Sequence, residues 1–429
     1  MSRIVFYPRR HLASAVLVLA LGVIALIGGG WYARAHYWLP KKHIESAEIA
    51  LDHRNFDEAR RELDLYLEAR PNDPRGHFLL AQTARRAGDL NAAEEHLTRC
   101  EHLQNEKSDA DVGDTKLEWA LLEVQRGKLL EMDSYLRRRL RKEGPESVLI
   151  LETMSWELMR RNRLQEALAL LNHWLEKRPD EYEALVRRGW VADHLFDFDQ
   201  AIKDYRQALD LQPDHDSVRL RVAELFVERN RASDAIEELE RLRQRKPDDR
   251  EATLCFGRAL RLLNRTEEAK QVLDRLLETH GNFVAAMGVR AQLSIEGGRT
   301  EEAAALLQKA ATLEPLNRQI NYTLLQCQKQ LGKNQDAKET QARLAQADEQ
   351  LKKMAEIVRK VMEQPYDPAL RYEAGMIFLQ NGMTREGLHW LSTALDAYPA
   401  HRPTHEALAQ YYEKAGQEDL AAYHRQFLR

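Results

Sequence analysis

Short amphipathic phrases recur along the chain, and each places a small residue after two mostly polar ones and ahead of an apolar residue four places on. Examples are FDQAIKDY, ASDAIEEL and TEEAKQVL. The series of these positions, in which Met132 and Gly387 are departures, runs through Ala59, Ala93, Met132, Ala167, Ala201, Ala235, Ala269, Ala303, Ala337, Gly387 and Ala421. Seven of the ten successive intervals are 34 residues long, so the pattern indicates a repeated supersecondary unit.

A second series of mostly small residues lies 12 positions ahead of the first. It consists of Ala47, Ala81, Ala120, Ser155, Gly189, Ala223, Gly257, Ala291, Leu325, Gly375 and Ala409. Small side chains let two helix axes approach closely, so the two series predict antiparallel helix pairs joined by short turns. Glycine or asparagine is expected to end each first helix in a left-handed conformation. These turn residues are Gly88, Gly127, Asn162, Asn230, Asn264, Gly298, Gly332, Gly382 and Gly416.

Proline ends many of the units, at Pro71, Pro179, Pro213, Pro247, Pro315 and Pro399. With this feature the pattern resembles the tetratricopeptide repeat (TPR) family over nearly everything from residue 40 to 429, in eleven units. The resemblance implies an all-α fold, a right-handed superhelical solenoid of helix-turn-helix units with a concave groove. We expect units 1–9 over residues 40–351, a helical extension over 352–367, and units 10–11 with a C-terminal cap over 368–429.

Sixteen extra residues separate the small positions Ala337 and Gly387. Apolar residues in this stretch alternate at spacings of three and four, which is a heptad pattern. They are Leu344, Ala347, Leu351, Met354, Val358 and Val361. Two interpretations are open here: a long helix that packs on the last two units, or a seam for self-association.

A charge-free stretch from Leu12 to Ala33 follows a basic tail over residues 1–11 and precedes a juxtamembrane linker over 34–39. As a helix, its 22 residues would span about 33 Å, which is enough for a hydrocarbon core of about 30 Å. Aromatic residues flank it on both sides, as at a membrane interface. The sequence therefore predicts one transmembrane helix in contact with the lipid bilayer. A cleaved signal peptide is the alternative, since Ala33-Arg34-Ala35 matches a small-x-small cleavage site.

Basic residues flank the charge-free stretch on both sides, so the positive-inside rule is nearly balanced. A short basic tail before a first hydrophobic segment usually stays in the cytoplasm. We therefore expect a single-pass protein of a bacterial-type inner membrane, with the TPR body on the extracytoplasmic side.

Charge and motif content exclude several classes of function. Residues 1–42 carry six basic residues and no acidic one, so the net charge of −4 leaves −10 on the remainder. Such a body is a poor general binder of nucleic acid. The sequence contains no phosphate loop, nucleophile elbow or CxxC pair. We expect no enzyme activity, cofactor or metal site, and interpret His96, Cys100 and His102 as ordinary helix residues.

The first helix of each repeat has a second stripe of residues beside the face that packs on its partner helix. This stripe is not needed for packing within the pair. In the TPR family this stripe lines the concave groove, so the resemblance implies a binding surface. The stripe is mostly polar in the outer units, as at Arg85, but turns apolar in units three to six. Its apolar members, here termed the groove stripe, are Leu117, Leu121, Val124, Leu149, Trp156, Met159, Val186, Trp190, Leu220 and Val227. Exposed apolar patches usually mark partner sites, and tryptophan often dominates binding energy. The alternative is that these side chains only fill the inner wall of the superhelix.

The leading hypothesis is a non-enzymatic, membrane-anchored scaffold or adaptor that binds a protein or peptide in the concave groove. A second hypothesis is an envelope-assembly or secretion-complex factor that binds exported components. A third is a regulatory subunit of an enzyme complex. Some chaperone-binding relatives grip a C-terminal carboxylate with Lys and Asn on this face. Here Glu152, Trp156, Val186 and Trp190 stand at such places, so that activity is not expected.

Carbonate extraction tests the predicted anchor. The chain should stay in membranes through an alkaline carbonate wash, because the stretch from Leu12 to Ala33 carries no charge. Protease added outside sealed spheroplasts should digest the repeats while a cytoplasmic control protein survives. Protection of both proteins would contradict the orientation, and a mature N-terminus at His36 would contradict the anchor itself.

Overall fold

The computed structural model describes residues 38–106, 112–161, 163–364, 367–415 and 417–428. Within these ranges the regular structure consists of 22 α-helices and one short 3-10 helix. The α-helices are α1 Leu39–Asp52, α2 Phe56–Ala69, α3 Pro74–Ala87, α4 Leu90–Glu106, α5 Thr115–Gln125, α6 Leu129–Leu140, α7 Ser147–Arg160, α8 Leu164–Lys177, α9 Tyr182–His194, α10 Phe198–Leu211, α11 Asp216–Glu228, α12 Ala232–Arg245, α13 Arg250–Leu262, α14 Thr266–Thr279, α15 Val284–Glu296, α16 Thr300–Leu313, α17 Arg318–Gln330, α18 Asn334–Glu363, α19 Pro368–Gln380, α20 Thr384–Ala397, α21 Arg402–Lys414 and α22 Glu418–Arg425. The 3-10 helix is Gln426–Leu428.

Consecutive helices pair in chain order, as α1 does with α2 and α21 with α22, and contacts join ten such pairs among the described residues, which confirms the predicted helix-turn-helix units. First helices of neighbouring repeats also contact each other: α3 contacts α5, and α11 contacts α13. The chain divides into two compact units, Met1–Glu157 and Leu158–Arg429. We call these two parts of the chain the first unit and the second unit, and we call each helix pair a repeat.

Close approach within each pair depends on the small residues. A Cβ atom placed on Gly189 of α9 would lie 2.8 Å from the ring of Tyr205 in α10. One placed on Gly257 of α13 would lie 2.9 Å from Leu273 in α14. Ala201 and Ala235 are fully buried. The predicted reason for the two series of small residues is therefore confirmed: a larger side chain at these positions would force the paired helices apart.

The turns inside the pairs have the predicted left-handed backbone. Asn230 and Asn264 have φ of 57° and 58°, and Gly88, Gly127, Gly298, Gly332 and Gly382 also have positive φ. Asn162 and Gly416 lie outside the described residues. Phe196 holds the same position in its pair with φ of 62°, which is unusual for a bulky residue.

Helix starts carry their own local stabilisation. The side chains of Asp197, Asp249 and Asn317 accept hydrogen bonds from backbone N–H groups three residues later. Several second helices are instead preceded by an arginine that pairs with an acidic side chain three residues on. These pairs are Arg163–Glu166, Arg231–Asp234, Arg265–Glu268 and Arg299–Glu302. An acidic residue in the first turn also interacts favourably with the helix dipole.

The sixteen extra residues between repeats nine and ten lengthen one helix. Helix α18 runs for 30 residues without a break. Met354, Ile357 and Val361 in its C-terminal half pack with Ala374 and Ile377 of α19. This is the first of the two interpretations of the heptad pattern, a long helix that packs on the last units.

Overpacking one helix pair tests the role of the small positions. Replacing the fully buried Ala201 with Leu should cost about 1–3 kcal/mol, because the extra methylenes have no room. Because repeats contact mainly their neighbours, hydrogen exchange should rise in α8 to α11 and little elsewhere. Ala345→Leu, on an exposed position of α18, is the matched control. A uniform rise across residues 163–364 would contradict the repeat account.

Candidate functional site

In the first unit, the groove stripe is split between buried and accessible positions. Leu117, Leu121 and Val124 of α5 are buried, with exposed fractions of 2%, 0% and 0%. The physical reason is that α5 packs against both α4 and α6 and also against α3. These three side chains are therefore buried within the first unit and present little apolar surface to solvent. Leu149 of α7 is half-buried.

Trp156 is the accessible member of the groove stripe in the first unit. Its side chain is 44% exposed near the C-terminal end of α7, whereas Ser155 beside it is fully buried. An indole of this exposure on a helix that is otherwise well packed is a candidate contact for a partner.

In the second unit, Met159 is buried at 5% exposure. The other members are half-buried and pack against the hydrophobic core of that unit; they are Val186, Trp190, Leu220 and Val227. The stripe here forms the outer layer of the core, with its apolar edges still accessible.

Trp190 sits at the centre of an aromatic cluster. The His194 ring stacks on the indole with centroids 3.6 Å apart. His194 Nδ1 lies 2.8 Å from the Trp190 carbonyl oxygen, to which it donates a hydrogen bond. His389 of α20 approaches both rings, at 6.0 Å from Trp190 and 5.6 Å from His194. Helix α20, nearly 200 residues later in the chain, thus reaches the face of α9 that carries the groove stripe.

A buried carboxylate lies beside this cluster. Asp193 of α9 accepts hydrogen bonds from Arg221 of α11 at 2.8 and 2.9 Å. Arg385 of α20 donates a third at 2.8 Å. Burial alone would raise the pKa of Asp193, but the hydrogen bonds and positive charge of Arg221, with the charge of Arg385, outweigh it and lower that pKa. Asp193 is therefore a fixed negative charge that joins three helices.

A second ion pair joins α7 to the other end of α20. Arg160 donates to the Asp396 carboxylate, with Nη2–Oδ1 and Nε–Oδ1 distances of 3.0 and 3.1 Å. Burial raises the pKa of Asp396 and outweighs the opposing effect of Arg160. Arg160 and His194 thus both contact α20.

The first unit contains a network of buried charges. Arg85, which the sequence places on the polar part of the stripe in an outer repeat, is only 1% exposed. Arg85 pairs with Glu118 and donates to Thr153 Oγ1 at 3.2 Å. Glu152 accepts from Arg54 at 2.8 Å. The sequence does contain a signal for this burial. Arg85 lies on the stripe of a first helix, and first helices of neighbouring repeats contact each other and so can bury a charge between them.

The histidines that might have suggested a metal do not form a ligand set. His77 and His96 approach with Nδ1 atoms 3.2 Å apart, beside a cavity of about 490 Å³. Burial raises the pKa of Cys100 to about 11, so its thiol stays protonated. Over the described ranges, no group of three or more His, Cys, Asp or Glu residues could hold a metal ion.

The charge-free stretch from Leu12 to Ala33 lies outside the described residues. Among the helices that the structure does describe, none combines the length and apolar character needed to cross a bilayer.

Comparison with known families identifies the repeats. Two models, both described as tetratricopeptide repeat, match the chain at residues 44–101, 153–216 and 254–318 for one and 195–254 for the other. These matches fall on the helix pairs described above. The chain is therefore a tetratricopeptide repeat protein.

Individual relatives are distant. The DnaJ homolog subfamily C member 7 homolog of Schizosaccharomyces pombe is 28% identical over 203 residues, which are 42% of this chain and 43% of that protein. The chain thus spans less than half the length of that relative.

Solved structures share the helical repeat at low identity. PilW, described as a widely conserved type IV pilus biogenesis factor, is 22% identical with a TM-score of 0.41, over 47% of this chain and 93% of that one. YrrB, described as a TPR protein with an unusual peptide-binding site, is 19% identical with a TM-score of 0.38, over 44% and 96%. At these values the likeness concerns the fold alone.

The histidines around Trp190 predict a loss of stability in acid. Burial lowers the pKa of His194 to about 4 and also lowers the pKa of His389. Below the ordinary histidine pKa of about 6.5, the unfolded chain therefore binds more protons than the folded chain. Their contribution to the free energy of unfolding is complete above about pH 6.5 and should fall as the pH drops toward 4.

Urea unfolding followed at several pH values checks this. The double variant His194→Gln, His389→Gln should show a shallower loss between pH 6.5 and 4 than the wild type. His53→Gln, at an exposed position, serves as the control. Equal slopes for the wild type and the double variant would exclude these two histidines as the cause.

Proposed function

We propose that the protein is a non-enzymatic scaffold or adaptor that binds a protein or peptide partner along the groove stripe. Members of the TPR family bind protein and peptide partners, and the family assignment supports this class of function. The observation that carries the proposal is Trp156, which is 44% exposed within the groove stripe while its neighbour Ser155 is fully buried.

The physical mechanism is burial of apolar surface by a partner. A partner helix or extended segment that covers Trp156 removes an aromatic surface from water, which is worth roughly 25 cal/mol per Å². Binding energy at interfaces concentrates in a few such aromatic residues, and the polar surroundings contribute orientation. The half-buried Leu149 on the same helix adds apolar surface.

The charge-free stretch from Leu12 to Ala33 supports a membrane-anchored version of this function. A tether at the bilayer raises the effective concentration of the repeats for partners in or at the membrane. In the predicted orientation the repeats act on the extracytoplasmic side, as expected of an envelope-assembly or secretion-complex factor. A regulatory subunit of an enzyme complex would share the same binding surface.

The test is partner capture by the full chain from detergent-solubilised membranes, followed by an affinity measurement with the identified partner. Trp156→Ala should weaken binding roughly thirtyfold or more, because truncation of a central interface tryptophan commonly costs about 2 kcal/mol. The fall in melting temperature should be small beside the loss of affinity, since the side chain is 44% exposed.

Phe196→Ala is the control, because Phe196 is an aromatic residue that is 80% exposed in the turn between α9 and α10 and is not a member of the groove stripe. It should leave capture at the wild-type level. A Trp156→Ala chain that melts many degrees lower and captures its partner normally would contradict the proposal.

A further inference from the structure

Helix α20 carries three side chains on the face that it turns toward α9 and the C-terminal end of α7. Arg385, His389 and Asp396 are separated by four and seven residues, so they share one side of the helix. The opposite side of α20 packs within its own repeat, where Gly387 and Leu391 meet Gly375 of α19. Helix α20 thus packs on α19 with one side and contacts α9 with the other.

The three contacts reproduce the way an amphipathic helix binds a groove. Arg385 bonds to Asp193, His389 contacts the Trp190 and His194 rings, and Asp396 bonds to Arg160. The two ion pairs are eleven residues apart on α20, which is about 16 Å along a helix. A helix docked in the reverse direction would bring Arg385 toward Arg160 and Asp396 toward Asp193. The charges therefore select one direction of docking.

The contact between α20 and Asp193 can also be broken without leaving Asp193 unpaired. Asp193 is only 2% exposed, and leaving such a carboxylate unpaired would be costly. However, it keeps its two hydrogen bonds to Arg221 when Arg385 departs. Arg385 itself is 48% exposed and reaches water at once. Release of α20 therefore does not strand a buried charge at Asp193.

We propose that α20 is a resident substitute for the partner on the α9 part of the groove stripe. The partner that displaces it is an amphipathic helix with a cationic residue, an aromatic or imidazole side chain four residues later, and a carboxylate eleven residues after the cation. This proposal rests on the proposed function and specifies which partner the second unit recognises.

The test uses a fluorescein-labelled peptide of residues 382–399 and the full chain, read by fluorescence anisotropy. The peptide should bind Arg385→Glu chain at least tenfold more tightly than wild-type chain. The substitution places a carboxylate against Asp193 and frees the surface, and apparent affinity scales with the fraction of chains in the open state. A peptide with both charges reversed, Glu at 385 and Lys at 396, should not bind.

Further variants keep the result independent of one substitution. Asp396→Lys should open the same surface from its other end, with the helical circular dichroism signal retained. Arg160→Asp chain should bind a peptide with Arg at 396 tightly, and adding Asp396→Arg to that chain should restore the ion pair and weaken this binding to the level seen with wild-type peptide and chain. Arg265→Glu, at the exposed ion pair with Glu268 of α14, is the matched control and should behave as wild type.

Equal peptide affinity for wild-type and opened chains, or no binding to any folded opened chain, would overturn the proposal. Partner capture that depends on Trp156 but is unchanged in Arg385→Glu chain would also overturn it, while leaving the proposed function intact. Loss of the Trp156 effect with the peptide results as expected would overturn the proposed function instead.

Discussion

Close packing of two helices across a small residue is the constraint on which the rest of the structure depends. At Gly189 the Tyr205 ring fills the space that a Cβ atom would need, and at Gly257 Leu273 does the same. Because this crossing recurs with the 34-residue period, each pair presents its first helix in an equivalent register. Residues 34 apart, such as Trp156 and Trp190, consequently occupy equivalent positions in successive repeats.

The fold could be predicted from the sequence because its determinants are local and periodic. The small positions, the left-handed turns at Asn230 and Asn264, and the helix pairs all follow from spacings shorter than two repeats. The candidate site could be predicted only in part. Periodicity identifies the face that carries Leu121 and Trp156, but burial depends on which helices cover that face. Leu121 is enclosed because α3, α4 and α6 pack against its helix, whereas Trp156 is 44% exposed.

Contacts between distant repeats could not be predicted from the periodic pattern. The ion pair from Arg160 to Asp396 joins residues 236 apart, and that from Asp193 to Arg385 joins residues 192 apart. Neither spacing is a feature of the repeat. These contacts bring α20 against Trp190, with an ion pair toward each end of α20. The two proposals therefore make different physical demands: burial of the half-exposed Trp156 by a partner, and exchange of one helix for another at Trp190.

Hydrogen exchange of the full chain with and without its captured partner tests the account most directly. The account predicts slower exchange in α7 around Trp156 and faster exchange in α20, since the partner covers the first and displaces the second. Protection confined to second helices such as α10 and α12, with α7 and α20 unchanged, would contradict it.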